Sequence, residues 1–571
     1  MSNSLKKGRY TKYSNKIGLY SQSKGGFIGN DTDVVLNFPF KDTVLEAGMS
    51  KEDVGRDERF LHIELDSKDI DTLEEPKVLT DFRYINKDGE KALTKDNDIE
   101  FFNRDGKLKQ NLLIKGNNLL ALYTLRENLA RKIKVIYIDP PYNPPSNSNT
   151  FIYNNNFNHS SWLTFMRNRL EVAKKLLTDD GVLICAIDEN ELAYLGVLID
   201  EIFGSERESH YITIVHNPRG VQGTNFSYTH EYAIFVIPKG LKTIGNRKIE
   251  PENISWRNLR DNGGESLRTD AKNCFYPIIV RDGQVIGFGD ITTDGIYPNA
   301  NETQGDGSVY VYPIDPSGIE RKWRYARQSI DKIKNLLRAK ESKGLWQIEI
   351  GKDFGQYRTV WQDPRYDANE YGTKLVKSLV PNSEFDFPKS LWNVYDCLYA
   401  VVADDPNAIV MDFFGGSGTT AHVVLELNKD GGKRKFVVVE QMDYIKSVTL
   451  PRIEGVIKRD NLDESFVYFE MKKYNQEYVD LITKATSLSE LEKIYIEMSN
   501  NAFLKFWFDR KDFEKDEDFR KLDLAERKKV LIDVLDENQL YLNYPDMYDS
   551  RHNVSEDEKI LTEKFYGSDK N

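Results

Sequence analysis

The sequence predicts a doubly wound α/β fold, and three observations carry that prediction. Between about residues 111 and 238, short β-branched apolar runs alternate with amphipathic helical stretches, the pattern of a parallel sheet with crossover helices. The run Val135-Ile136-Tyr137-Ile138 passes directly into Asp139-Pro140-Pro141-Tyr142. A second run, Ile409-Val410-Met411-Asp412, passes into Phe413-Phe414-Gly415-Gly416-Ser417-Gly418-Thr419. Ligands in open α/β sheets sit outside the carboxyl ends of strands, so both loops are candidate site elements.

The first loop is stiff. Proline cannot donate to a sheet ladder, so the strand stops at Asp139 and leaves a carboxylate, free carbonyls and a phenol ring beyond it. That set makes the loop a candidate active site, although a proline-stiffened turn after a core strand fits the same residues. The second loop needs glycine for a sharp turn and for close approach to a ligand. The strand Phe436-Val437-Val438-Val439 then ends in Glu440, twenty-two residues past Gly418, where an acid commonly binds ribose hydroxyls. The turn lacks the Gly-x-Gly-x-x-Gly pattern of dinucleotide binders, and the chain has no phosphate-binding Gly-x-x-x-x-Gly-Lys-Ser/Thr loop.

In chain order, residues 1–105 are polar and mixed in charge and are expected to form an N-terminal arm or domain. Asn111 to Leu122 reads as strand, glycine turn and helix, with Asn117 or Asn118 as its cap. Residues 106–238 form the first half of the core. Asn143 to Asn156 is rich in Asn, Ser and Pro, suiting a lid. Trp162, Phe165, Met166, Leu170, Ala173 and Leu176 recur at helical spacing and are expected in the core. From 239 to 355 the pattern breaks into Asp-Gly turns and short β-like pieces, an inserted domain. Residues 356–460 supply the second half of the core, with a helix from Leu391 to Val402. Residues 461–571 read as a helical C-terminal domain.

With 571 residues and 39% hydrophobic content, several domains are expected. The net charge of −12 confines nucleic-acid binding to local patches. One such patch stands out: Glu320 to Lys343 holds nine basic residues against three acids. Arg321, Lys322, Trp323, Arg324 and Arg327 are its DNA-contact candidates, with a solvated helix face as the alternative. Three scattered cysteines form no metal or disulfide pattern, and no stretch is long and apolar enough for a membrane span. A soluble, cytoplasmic protein without a metal is expected.

Asp139-Pro140-Pro141-Tyr142 resembles the catalytic tetrapeptide of DNA amino-methyltransferases, and Asp412 to Thr420 resembles their S-adenosylmethionine motif. The family usually carries Pro at 413 and Ala at 415, and this chain departs at both. Phe38-Pro39-Phe40-Lys41-Asp42 and Leu45 to Met49 resemble the N-terminal region of modification subunits of type III restriction-modification systems. Catalytic loop, then insert, then cofactor turn is the order of a permuted methyltransferase of the β group. The resemblance implies an S-adenosylmethionine-dependent, Rossmann-like core and transfer of a methyl group to N6 of a flipped adenine. It places Asp139, Pro140, Pro141 and Tyr142 at the amine. Asp412, Phe414, Gly416, Gly418, Thr419, Glu440, Lys389 and Asn117 fall at the cofactor, and the insert at target recognition. It also implies double-stranded DNA as substrate, a homodimer, and a separate restriction (helicase-nuclease) subunit. Two rivals stay open: N4-cytosine methylation, and a catalytically idle DNA-binding regulator. C5-cytosine methylation needs a cysteine after a proline, which the chain lacks.

Overall fold

The computed structural model describes residues 75–144, 158–222, 225–249, 251–504, 508, 510–513, 517–535 and 540–567, besides four three-residue strands nearer the N-terminus. Two compact units emerge: one is Asn246–Tyr357, and the other holds the chain on either side of it. The lid expected at 143–156 lies almost wholly outside the described residues, as does the Phe38 to Met49 stretch.

The larger unit is built on one sheet of eleven strands. In chain order these are β1 (Leu79–Asn86), β2 (Gly89–Ala92), β3 (Asn111–Lys115), β4 (Ile133–Ile138), β5 (Leu177–Ile187), β6 (Arg207–Val215), β7 (His230–Pro238), β8 (Val360–Trp361), β9 (Ile409–Asp412), β10 (Lys435–Glu440) and β11 (Phe466–Met471). Across the sheet they run β8-β6-β7-β5-β4-β9-β10-β3-β11-β1-β2. The six strands from β5 to β11 are mutually parallel. Their residues are apolar on both faces, as a sheet covered on both sides requires.

Three helices, α1 (Asn118–Leu129), α2 (His159–Leu176) and α3 (Leu192–Phe203), pack side by side. A second set, α4 (Leu391–Val402), α5 (Thr419–Leu427) and α6 (Leu450–Arg459), does the same. β3 and β4 are joined by α1 in one direction across the sheet, and β9 and β10 by α5 in the other. Right-handed crossovers therefore put the two sets on opposite faces. The winding reverses between the neighbours β4 and β9, which is where such sheets bind ligands. The helical stripe of α2 is buried from Trp162 to Leu176.

The described parts of the expected N-terminal and C-terminal domains are not set apart. β1 pairs with β11, and β11 with β3, so both flanks extend the same sheet. Phe82, Phe101, Phe469 and Phe565 meet at ring-centroid separations of 5.2–6.4 Å. The apolar residues that join these flanks are dispersed among charges in sequence, so composition alone did not show the seam. Helices Asn475–Lys484, Leu488–Asn501 and Leu524–Asp533 pack on one another near the C-terminus.

The smaller unit holds a four-stranded antiparallel sheet and a three-stranded one. Leu259, Tyr276, Ile278, Val280, Val311, Trp323, Ile330 and Ile348 form its core. Asp282-Gly283 turns the hairpin between Ile278–Arg281 and Gln284–Phe288, with both residues at positive φ, as the tight hairpin corner demands. The basic stretch is not one helix: a short helix at Arg327–Ile330 gives way to a strand at Leu337–Ser342.

Candidate active site

The loop after β4 is held from behind. Trp162 Nε1 donates to the Pro141 carbonyl at 2.8 Å, and Asn143, at a φ of +55°, donates to Glu191 Oε1 at 2.6 Å. Pro140 and Pro141 are buried, while Asp139 keeps 28% of its side-chain surface exposed.

The turn after β9 is fixed from both sides. The Asp412 carboxylate accepts the Phe414 amide at 2.9 Å and the Thr420 hydroxyl at 2.6 Å. Burial pushes Asp412 up to about 7. Gly416 and Gly418 adopt left-handed φ values of +49° and +82°, which a residue with a β-carbon rarely takes. The Gly416 amide donates to Glu440 Oε2 at 2.8 Å, while Glu440 Oε1 accepts the Gln441 and Met442 amides. From α6, Arg452 donates to the hydroxyls of Ser417 at 2.7 Å and Thr419 at 2.8 Å.

Both loops line one cleft of about 750 Å³, counting the solvent at its mouth. Asp139, Pro141, Lys389, Asp412, Phe414, Gly416, Thr419 and Glu440 all border it, with Phe385 and Tyr444 set edge to face across 5.0 Å. A nucleoside-bearing cofactor fits this donor set. Glu440 Oε2 accepts only one of the three backbone amides, the turn is open where side chains are missing, and two rings line the cleft.

Lys389 joins the halves. Its ammonium pairs with the Glu231 carboxylate and the Tyr142 hydroxyl, stands 3.4 Å from Asp139 Oδ1, and lies 4.5 Å over the Tyr142 ring. Burial alone would lower Lys389, but Asp139 and Glu231 outweigh it and hold the ammonium above its ordinary value. For Glu231 burial pushes upward, and Lys389 then His216 reverse it, so the carboxyl lies below the usual range. Asp139 is raised by burial, against the pull of Lys389.

Several expected residues sit differently. Asn117 turns its side chain to cap α1, accepting the Leu119 amide at 3.0 Å, and its neighbour Asn118 lines the cleft instead. Asn118 Nδ2 donates to the Phe413 carbonyl at 2.9 Å and is steadied by buried Arg169 at 2.7 Å. Tyr142 is half-buried beside the cleft, against Lys389, and is not part of its lining. In the smaller unit, Trp323 is buried with its indole N–H on the Tyr276 carbonyl at 2.8 Å, so its side chain is part of the core. Arg321 is held by Asp315 at 2.9 Å and Arg327 by Asp331 at 2.7 Å, whereas Arg324 is exposed and Lys322 is partly buried.

The sequence reading missed Glu231, Asn393, Asn118 and Arg452. Glu231 carries a visible signal, an acid opening the apolar run Tyr232 to Ile237. Arg452, one basic residue of an amphipathic helix, carries none. Among the described residues no cluster of His, Cys, Asp and Glu could hold a metal ion, and no helix is long and apolar enough to cross a membrane.

An acid-bearing loop and a glycine turn on adjacent parallel strands, at the point where the winding reverses, define a Rossmann-like fold with its ligand cleft at the switch point. The DNA methylase family model matches residues 133–484, more than half of the chain, and the chain belongs to that family. Along nearly its whole length it is similar to a modification subunit. It shares 27% identity with the probable type III restriction-modification enzyme HindVI Mod subunit of Haemophilus influenzae, over 98% of this chain and 88% of that protein. The StyLTI Mod subunit of Salmonella typhimurium is 30% identical over 62% of this chain and 55% of its own. The type II methyltransferase M.KpnI of Klebsiella pneumoniae is 29% identical over 63% and 89%.

Proposed function

We propose that the protein methylates N6 of an adenine turned out of double-stranded DNA, as the modification and recognition subunit of a type III restriction-modification system. The observation that carries this is the single cleft shared by Asp139 and the Asp412–Thr420 turn. S-adenosylmethionine, the cofactor, supplies an electrophilic methyl group when bound. Glu440 is positioned to accept from ribose hydroxyls, and the turn's backbone lets the cofactor approach closely.

The target amine is a weak nucleophile because its lone pair is delocalised into the ring. Asp139 and the Pro140 carbonyl are acceptors for its two hydrogens, which favours a pyramidal nitrogen. On taking the methyl group the amine would give up one N6 proton, which the Asp139 carboxylate is placed to accept. Base turning exposes the amine to this loop, and stacking on an aromatic ring contributes about 1–3 kcal/mol per base. The Tyr142 ring carries Lys389 on one face, so stacking falls to the other. An acid at 139 favours adenine over cytosine N4. The protein works as a cytoplasmic homodimer, and cleavage comes from a separate restriction subunit.

The test is nucleoside mass spectrometry with modified-base sequencing of DNA from cells expressing the chain. N6-methyladenine at one asymmetric site is expected, and it should vanish for Asp139→Ala while cofactor binding persists. N4-methylcytosine, or no modified base, would overturn the reading.

A further inference from the structure

We infer that Glu231 is a positioning residue for methyl transfer: it holds Lys389 at the edge of Asp139 and fixes the Tyr142 ring. This rests on the function proposed above and deepens it by adding a third element, β7, to the machinery.

The geometry is unusual for a strand residue. Glu231 lies near the start of an otherwise apolar strand, its side chain 6% exposed, inside a sheet whose core is hydrocarbon. A carboxylate is costly there unless paired and fully hydrogen-bonded. Its Oε2 receives the Lys389 ammonium and the Tyr142 hydroxyl at 3.1 Å, and its Oε1 receives Asn393 Nδ2 at 2.8 Å from α4. Lys389 would otherwise be free to lie wholly on Asp139, at 3.4 Å, and occupy the acceptor that the target amine needs. Glu231 draws the ammonium back, so Asp139 keeps lone pairs for the base, while Lys389 at 3.4 Å still favours its ionised form. Through the Tyr142 hydroxyl it also sets the tilt of the stacking ring. The remaining titratable neighbours are Tyr137 on β4, Asp188 after β5, His216 after β6, Cys397 on α4 and Asp412 on β9.

The test is single-turnover methylation with saturating cofactor over a range of pH, on a substrate that the wild-type protein methylates. A wild-type protein with no activity would sink the proposed function itself, whereas the comparisons below bear only on Glu231. For Glu231→Gln, which keeps shape but loses charge, the plateau rate should fall by about tenfold or more, the loss typical of one charge-assisted hydrogen bond. Cofactor affinity should stay within about twofold. The acid limb should move to lower pH, because the Glu231 charge no longer opposes ionisation of Asp139.

The double variant Glu231→Gln/Lys389→Gln guards against misfolding, since a neutral pair commonly replaces a buried ion pair without loss of fold. If Glu231 acts through Lys389, the double variant should be no slower than Lys389→Gln alone. A Glu231→Gln rate within twofold of wild type with an unmoved acid limb would overturn the inference. So would a double variant whose losses multiply.

Discussion

The Gly416 amide donates to Glu440 Oε2 across 2.8 Å, so the acid that ends β10 clamps the turn that follows β9. Glu440 thus has two duties, the backbone of the turn and the ribose of the cofactor. In Glu440→Gln an amide N–H₂ must face at least one of the three backbone donors. Loss of a charged acceptor should weaken S-adenosylmethionine binding by about 1.5–3 kcal/mol, roughly tenfold to a hundredfold in Kd. Isothermal calorimetry on the folded variant checks it. Unchanged affinity would leave the turn a purely structural device.

Gly415 is the close-approach glycine of that turn. A β-carbon built there would stand 2.5 Å from Val438 Cγ1 and 3.1 Å from the Val439 carbonyl. The glycine at 415 is thus matched to the valine at 438, which a methyl group would meet. Gly415→Ala should cost about 1–3 kcal/mol of stability, the range for overpacking. Adding Val438→Ala should recover part of it. Denaturant midpoints for the two singles and the double give the coupling, and strict additivity would refute the matching.

Asp412 makes stability depend on pH. Burial lifts it from 3.8 to about 7, only partly offset by the Thr420 hydroxyl and the Phe414 amide. A raised folded-state value means that its contribution is fully present below 3.8 and is lost as pH rises through about 7. Melting temperatures from pH 5 to 8 should therefore decline in the wild type, as far as this group governs them. They should run flatter in Asp412→Asn, whose overall stability is lower. Parallel curves would show that Asp412 is ionised throughout.

The two loops of the site were legible because each breaks a local rule. Asp-Pro-Pro ends a β-branched run abruptly, and four small residues, Gly415 to Gly418, follow Phe414 where a helix is about to start. The strand order was not legible. Nothing in the β4 run says that β9, some 270 residues later, lies beside it, because parallel pairing depends on crossovers and not on local pattern. The partners of Glu231 and Arg452 stayed hidden for a related reason. Each acts on a loop distant in sequence, which no local pattern reports. In the basic stretch, composition counts charges but not the pairs they form. Asp315 and Asp331 take up Arg321 and Arg327.

Burial separates two neighbours in the smaller unit. Trp323 belongs to its core, with an indole hydrogen bond at 2.8 Å, and Trp323→Ala should cost about 3–5 kcal/mol and loosen the unit. Arg324 is exposed beside it, with its backbone held by the Leu259 carbonyl at 3.2 Å, so the side chain is displayed on a rigid edge. Arg324→Ala should leave melting and cofactor affinity unchanged and weaken DNA binding. If Arg324 meets a phosphate, the loss should be the same for every sequence, and the log–log salt slope should flatten by about one. A base contact should cost roughly 1–3 kcal/mol at one position only and spare non-specific DNA. Binding isotherms at several salt concentrations, on cognate and scrambled duplexes, distinguish the two. Equal affinity for both duplexes in wild type and variant alike would move recognition out of this part of the insert.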